Sequence, residues 1–252
     1  MKIFSVARTT AWLVIGHAVL GGLFWCLLSI PESNLWTLAG SAVVTLLMLA
    51  VAAEVEMAAA VVARPDGTWT EALHERGVAG PVFLLALLVV SVLWWLTGRA
   101  TGWMRVHGGE IDAWLMLRTG WTRTAPLHRA IDWAFIFVRY AVALSLAAGV
   151  LTAGARDGVK AAFRGGWLRA GLSPARLATV TASWGLLIAL PWWLADWRPR
   201  HLPPTWVEPA FVTTKLLAVY LLVNLGWAVI LRIASRPSTD IRPKPTRTTS
   251  GG

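Results

Sequence analysis

The sequence predicts an all-α, polytopic bundle of transmembrane helices, and three observations lead to this prediction. Hydrophobic residues make up 56% of the 252 residues and charged residues only 14%. The mean hydropathy is +0.60. Runs of about 20 apolar residues, long enough to cross a ~30 Å hydrocarbon layer, recur along the chain. One soluble core does not need so much apolar sequence, so lipid is the expected solvent for most of the chain.

Six such runs predict about six spans within a transmembrane domain of residues 1–234. The first run follows Lys2 and Arg8 as a signal peptide would, but no small-x-small cleavage site follows it, so we expect it to stay as an anchor. The tail 235–252 is rich in Pro, Thr and Arg and is expected to be disordered, basic and cytoplasmic. The spans are expected near residues 11–30, 37–63, 80–98, 131–152, 176–195 and 209–234.

The net charge of +10 is distributed along loops beside apolar runs. No soluble basic domain is visible, which excludes nucleic acid as the expected partner. The predicted spans place 14 Lys and Arg on the side of both termini and 7 on the other. The positive-inside rule therefore predicts that both termini are cytoplasmic. We expect a multi-pass protein of a bacterial cytoplasmic membrane.

The longest connection, residues 99–130, belongs to the outer side in this topology. Its middle, GEIDAWLMLRTGW, is apolar enough to lie on or dip into the membrane surface without crossing it. Twelve of the 17 Trp fall at or beyond the same side, which is typical of an aromatic belt and, in the sharper interpretation, of an aromatic mouth that binds a lipid, a sugar or a protein. These are Trp25, Trp36, Trp94, Trp95, Trp103, Trp114, Trp121, Trp133, Trp192, Trp193, Trp197 and Trp206.

Ionisable side chains within the spans are the candidate functional residues, because a charge near mid-membrane costs about 2.5–3.5 kcal/mol unless it is protonated, hydrated or paired. Glu54 and Glu56 point to opposite sides of the second span, which argues against a carboxylate dyad. Estimated depth predicts two contacts, His17 with Glu56 and Arg139 with Glu54. Asp132, on the face of Arg139, is a rival partner for that arginine.

A second candidate surface lies between the fourth and fifth spans. Val159, Phe163 and Trp167 repeat every four residues beside Lys160 and Arg164. This pattern predicts a cytoplasmic interfacial helix with basic side chains toward anionic headgroups. A solvated connector and a docking surface for a cytoplasmic partner are the two alternatives.

The sequence contains no HExxH, GxSxG, Walker or GxGxxG motif, so it predicts neither catalytic residues nor a cofactor. His107, Glu110 and Asp112, with His128 nearby, are residue types that ligate metals. Scattered polar residues in a loop more often face solvent, and we therefore predict no metal site.

The stretch Asp66–Leu73, DGTWTEAL, lies between two spans and resembles a loop of uncharacterised bacterial multi-pass proteins that are similar to the membrane domains of some glycerophosphodiester phosphodiesterases. The resemblance covers residues 40–200 and implies a helical bundle without chemistry of its own. A weaker resemblance is to permease subunits of export-type ABC transporters, in which Thr68 to Arg76 would be the ATPase-docking helix. The long loop between the third and fourth spans departs from that pattern.

Together these features predict a non-enzymatic component of transport or envelope assembly, whose partners are the lipid bilayer and a cytoplasmic or envelope protein. Two alternatives stay open: an ABC-type permease subunit, and a membrane-embedded enzyme that acts on a lipid-linked substrate with Glu54, Glu56 and His17 as acid and base.

Overall fold

The computed structural model describes residues 2–31, 33–74, 79–120, 124–197 and 206–236. Within these ranges every regular element is helical. Two short π-helical segments, Val138–Val142 and Gly185–Ala189, interrupt the α-helices. The α-helices are α1 Lys2–Leu28, α2 Leu35–Val62, α3 Trp69–His74, α4 Ala79–Thr119, α5 Ala125–Phe137, α6 Ala143–Asp157, α7 Val159–Phe163, α8 Gly166–Gly171, α9 Pro174–Trp184, α10 Leu190–Asp196 and α11 Val207–Ala234.

The predicted all-α, six-span bundle is confirmed, since six continuous helical stretches of the described chain are long and apolar enough to cross a membrane. Two of them run through a π segment without a break, which joins α5 to α6 and α9 to α10. The six stretches are 5–28, 35–62, 79–119, 125–157, 174–196 and 207–234.

The prediction for residues 99–130 as an outer loop lying on the membrane is wrong. Helix α4 continues to Thr119 and α5 begins at Ala125, so most of this segment is a helical hairpin, which turns through Gly120 at φ 71°. With 41 residues α4 is about 60 Å long, twice the hydrocarbon thickness. The glycines in its second half do not end it, because α5 packs alongside and His128 binds Asp112 across the hairpin at 2.7 Å.

Helix α6 lies at the centre of the bundle. It packs against α2, α4, α9 and α11, and against the short helices α7 and α8. We call the end where α2, α6 and α11 finish the termini face, and the other end the opposite face. Many of the buried residues are alanines that lie toward the termini face, for example Ala59, Ala60, Ala148 and Ala155. Small side chains let helices approach closely where lipid gives no hydrophobic drive for association.

Two helix crossings depend on the absence of a side chain. A Cβ atom added to Gly154 of α6 would lie 2.5 Å from Cγ1 of Val82 in α4, and one added to Gly16 of α1 would lie 2.5 Å from Cγ1 of Val55 in α2. Both distances are far inside van der Waals contact. The backbones therefore approach as closely as they do only because these positions are glycine.

Cations from neighbouring elements cap the C-terminal carbonyl groups of four helices. These carbonyls lack partners within their own helix and carry the negative end of the helix dipole, so a cation there is stabilising. Arg232 of α11 donates to Ala63 O after α2 at 2.7 Å, and Arg64 to Ala155 O of α6 at 2.8 Å. The other two donors are Arg176, to Ala234 O of α11 at 2.9 Å, and Lys215, to Ala195 O of α10.

The chain after α11 begins in an ordered way. Ser235 is buried and donates to Ala63 O at 3.0 Å, so the first residue of the predicted tail is tied to the end of α2. The prediction of disorder otherwise falls on residues 237–252, which lie outside the described ranges.

We expect the substitution Gly154→Ala to lower the free energy of unfolding by about 1–3 kcal/mol, because the new methyl group overpacks the crossing with α4. Thermal or denaturant unfolding of the purified protein in detergent measures this change. The matched control is Gly22→Ala in α1, where nothing lies within 4 Å of an added Cβ. The control should be neutral or slightly stabilising, since alanine is the better helix former. Equal stability of the two variants would contradict the packing described here.

Candidate functional site

The main candidate site is a cavity of about 810 Å³ inside the bundle. All six spans contribute to its lining, and most of the lining side chains are apolar or aromatic. They include Phe83 and Leu87 of α4, Leu144 of α6, and Ile188 in the second π segment. A volume of several hundred Å³ with mostly apolar walls is typical of a small-molecule site.

Four lining side chains form one hydrogen-bonded group, which we call the floor: His17, Glu56, Asn224 and Trp227. Glu56 lies six residues before the end of α2, about 9 Å from the termini face. The walls extend toward the opposite face as far as Trp192, 18 residues and about 27 Å into its span. The cavity therefore reaches from the inner third of the bundle to a level near the opposite face.

The structure brings His17 and Glu56 together, as the depth argument predicts. Nε2 of His17 lies 3.2 Å from Oε1 of Glu56. The second carboxylate oxygen accepts a hydrogen bond of 2.6 Å from the indole N–H of Trp227. Glu56 is thus held from both sides, by α1 and by α11, which is how a carboxyl group within an apolar bundle avoids an unpaired burial.

The hydrogen bonds of Asn224 decide which ring nitrogen of His17 carries a proton. Nδ2 of Asn224 donates to Tyr220 O at 2.8 Å, so its Oδ1 faces Nδ1 of His17 at 2.6 Å. An amide oxygen only accepts, and Nδ1 must therefore be protonated. One further proton then lies between Nε2 of His17 and Oε1 of Glu56. With the proton on Nε2 the pair is an imidazolium and a carboxylate, and with the proton on Oε1 it is a neutral imidazole and a carboxylic acid. The pair has no net charge in either state, so the floor is neutral.

The predicted contact between Arg139 and Glu54 is wrong. Nε of Arg139 donates to Thr97 Oγ1 at 2.9 Å, and its guanidinium lies 5.6 Å from the ring centre of Trp94. Within the described ranges Glu54, which is half-buried, has no hydrogen bond or ion pair, and Asp132 forms no ion pair with Arg139.

The error lies in the estimate of depth. Arg139 is 18 residues from the end of α6, about 27 Å from the termini face, whereas Glu54 is eight residues from the end of α2, about 12 Å from it. The fourth span is longer than its hydropathy indicates, so Arg139 lies about 15 Å farther from the termini face than Glu54, and the two side chains do not meet.

Both π segments contribute to the cavity wall. Tyr140 lies in the first and stacks on Trp184, next to the second, with ring centres 5.3 Å apart and planes 14° from parallel. A π turn also leaves backbone groups without their usual helical partners, and Trp94 Nε1 donates to Arg139 O in the first segment at 3.1 Å. Because π turns are rare and frequently occur at functional sites, two that face one cavity support its choice as the candidate site.

The tryptophans divide into two groups. Of the twelve that the sequence places near one side, Trp121 lies outside the described residues and the other eleven are exposed. The remaining five are half-buried, and each donates a hydrogen bond or contacts another aromatic ring: Trp12, Trp69, Trp167, Trp184 and Trp227. Exposed aromatic residues toward one end of a bundle are typical of a membrane interface. One of the eleven, Trp192, also lines the cavity.

The predicted interfacial helix is divided in two. Gly165 adopts φ 73°, which ends α7 and starts α8 in a new direction. Lys160, Phe163 and Arg164 are exposed on α7, but Trp167 is half-buried against α6 and donates to Ala162 O. The four-residue spacing therefore does not produce one continuous apolar stripe, because the left-handed glycine rotates the second half.

The residues considered for a metal site form two separate pairs. His107 Nδ1 lies 3.1 Å from Glu110 Oε2, and His128 Nε2 lies 2.7 Å from Asp112 Oδ1. Among the described residues no group of three or more His, Cys, Asp or Glu is arranged to hold a metal ion.

Sequence reasoning missed Asn224, Trp227 and both π segments. Asn224 interrupts the apolar run LLVNLGW, and a search for uncharged polar residues as well as charged ones would have found it. Pro191 indicates the second π segment, since a proline removes one helical N–H and obstructs the carbonyl four residues earlier. No residue near Val138–Val142 gives a comparable signal for the first.

Comparison of the chain with protein-family models, with curated proteins and with solved structures gives no match. The fold by itself defines the class, a helical multi-pass membrane protein. The resemblance of Asp66–Leu73 to a known group of membrane domains stays a prediction.

Replacing Glu56 with Leu should lower the free energy of unfolding by about 1–3 kcal/mol, because the N–H of Trp227 and Nε2 of His17 lose their partner in the bundle interior. The matched control is Glu54→Leu, two residues away on the same helix. Since Glu54 has no described partner, its replacement should be neutral or stabilising in a lipid-like environment. Denaturant unfolding of both variants in detergent measures the difference, and equal losses would contradict the assigned role of Glu56.

Proposed function

We propose that this protein is a non-enzymatic component of transport or envelope assembly in a bacterial cytoplasmic membrane, and that it binds an uncharged, lipid-like molecule in the central cavity. The observation that carries the proposal is the composition of the cavity, with long apolar walls and one hydrogen-bonding floor. Such a site fits a molecule with an apolar body and a single polar end.

The neutral floor argues for an uncharged polar end. The pair His17 and Glu56 has no net charge, and Asn224 and Trp227 are uncharged. A charged headgroup would have to leave water for a site without a counter-charge, at a cost of several kcal/mol. A hydroxyl or carbonyl group loses much less, and it finds both donors and acceptors in this network.

The cavity is accessible from the side of the bundle. Leu87 of α4 and Trp192 of α10 both line it and are 43% and 62% exposed. Lining side chains that are also exposed indicate that the cavity wall is open to the surroundings at these two positions. A molecule dissolved in the bilayer would enter there without passing through water, which suits a ligand that partitions into lipid.

The orientation of the chain belongs to the same proposal. The termini face carries the arginines that cap α2, α6 and α11, together with Lys160 and Arg164 on α7. This excess of positive charge supports a cytoplasmic location for both termini.

A membrane-embedded enzyme that acts on a lipid-linked substrate is the second candidate, and one observation favours it. His17 and Glu56 form a hydrogen-bonded imidazole–carboxyl pair that lines the cavity. In this candidate the carboxyl group of Glu56 is the acid and base, and His17 is the partner that orients it. The substitution Glu56→Gln separates the two candidates. It preserves the shape and a hydrogen bond, so ligand binding should persist, while turnover of a lipid-linked substrate should be lost.

Filling the cavity should abolish binding of a neutral lipid. We expect Ala189→Trp, in the cavity wall, to weaken binding of dioctanoylglycerol by about tenfold or more, since the indole occupies the ligand volume. Ala182→Trp, at an exposed position of the same span that does not line the cavity, is the control and should bind as the natural protein does. Native mass spectrometry in detergent, with dioctanoyl phosphatidylglycerol as the charged comparator, measures occupancy. The absence of diacylglycerol binding, or equal loss in both variants, would contradict the proposal.

Cysteine labelling tests the orientation, because Cys26 is the only cysteine of the chain. In a Cys26→Ser background, a membrane-impermeant maleimide applied to intact cells should label Ser33→Cys, between α1 and α2. It should label Arg164→Cys only after the membrane is permeabilised. The reverse pattern would place both termini outside.

A further inference from the structure

A second, smaller cavity lies at the termini face, between α6, α8, α9 and the end of α11. Its volume is about 230 Å³. Four arginines line it, and no acidic residue does: Arg64, Arg156, Arg176 and Arg236. This cavity is separate from the central one and shares no lining residue with it.

Two of these arginines have carboxylate partners outside the cavity. Arg64 lies 3.6 Å from Asp66 and 3.8 Å from Glu71, and Arg156 lies 2.9 Å from Asp157. The pKa of Asp66 lies below its ordinary value, because its own backbone N–H binds the carboxylate and Arg64 adds a positive charge nearby. Asp66 is therefore ionised at neutral pH, and its negative charge is already paired with Arg64.

The other two arginines are not neutralised by an acid within the described ranges. Nη2 of Arg176 donates to Ala234 O at 2.9 Å and to Arg236 O at 3.4 Å, which are both carbonyl oxygens. Arg236 has no ion pair among the described residues. The cavity thus carries an excess of positive charge that an anion would balance.

We propose that this cavity binds the phosphate group of an anionic phospholipid. Arginine is the side chain best matched to phosphate, since its planar fork donates two parallel hydrogen bonds. The position also fits a lipid, because the cavity lies where α6 and α11 end, at the level of the headgroups, and basic pockets between transmembrane helices are typical headgroup sites.

The other residues that line this cavity fit the glycerol backbone and the start of an acyl chain of such a lipid. Gly149, Thr152 and Ala153 of α6, and Ala170 of α8, leave space beside the arginines, and Trp167 forms one wall. A glycerol backbone and the first part of an acyl chain are apolar enough for this surface. An inorganic phosphate ion has the same recognition chemistry but makes no use of these contacts.

The test compares two double variants of the full chain that remove the same charge from the same face. Arg156→Gln with Arg236→Gln alters the cavity, and neither side chain caps a helix. Lys160→Gln with Arg164→Gln is the control, since both residues are exposed on or beside α7 and do not line the cavity. Native mass spectrometry of each protein with phosphatidylglycerol and with phosphatidylcholine measures lipid occupancy, and thermal unfolding verifies folding.

We expect the natural protein to prefer phosphatidylglycerol, and the cavity variant to bind it about tenfold more weakly while the control changes less than about twofold. Equal losses in both variants would overturn the proposal in favour of diffuse surface charge. No preference over phosphatidylcholine would overturn it as well. If millimolar inorganic phosphate displaced the lipid, the ligand would be free phosphate and not a lipid headgroup, which would also overturn the proposal. Binding of diacylglycerol in the central cavity is measured separately, so either result stands without the other.

Discussion

The arrangement of the bundle depends on one constraint, the need to satisfy the carboxyl group of Glu56 inside an apolar structure. Its two oxygens take partners from α1 and α11, through His17 and Trp227, so a single side chain of α2 fixes the position of three helices. Asn224 extends the network and sets the protonation of His17. The network forms the floor of the cavity, and in the proposed function its neutrality favours an uncharged ligand.

Arginine serves a second structural purpose that charge counting along the sequence does not reveal. Arg64, Arg176 and Arg232 each bind the C-terminal carbonyls of a helix other than their own. These bonds stabilise helix ends through hydrogen bonding and through the helix dipole together. Several arginines that indicate orientation in a topology rule are therefore also packing residues, and two of them, Arg64 and Arg176, also line the second cavity.

The sequence was sufficient for the features that depend on length and depth alone. The six spans follow from apolar run length, and the approach of His17 to Glu56 follows from similar depth in two adjacent, antiparallel helices. Arg139 was assigned to the wrong partner because the end of an apolar run does not mark the end of a helix: the fourth span runs from Ala125 to Asp157, beyond both ends of the predicted 131–152. Tertiary packing sets the rotation of each helix about its axis, which brings Asn224 and Trp227 to the floor, and this rotation leaves no periodic signal in the sequence. The π turn at Val138–Val142 also arises from tertiary packing and leaves no such signal.

The bundle is packed more tightly at the termini face than at the level of the central cavity, and this difference bears on how a lipid would reach the floor. Alanine-rich contacts close the region near the ends of α2, α6 and α11, while the exposed lining residues Leu87 and Trp192 lie about 12 and about 27 Å away from those ends. In the proposed function, a lipid of the monolayer at the opposite face would reach the floor by lateral diffusion at this level. A lipid of the other monolayer would first have to change sides, so the protein would sample the composition of a single leaflet.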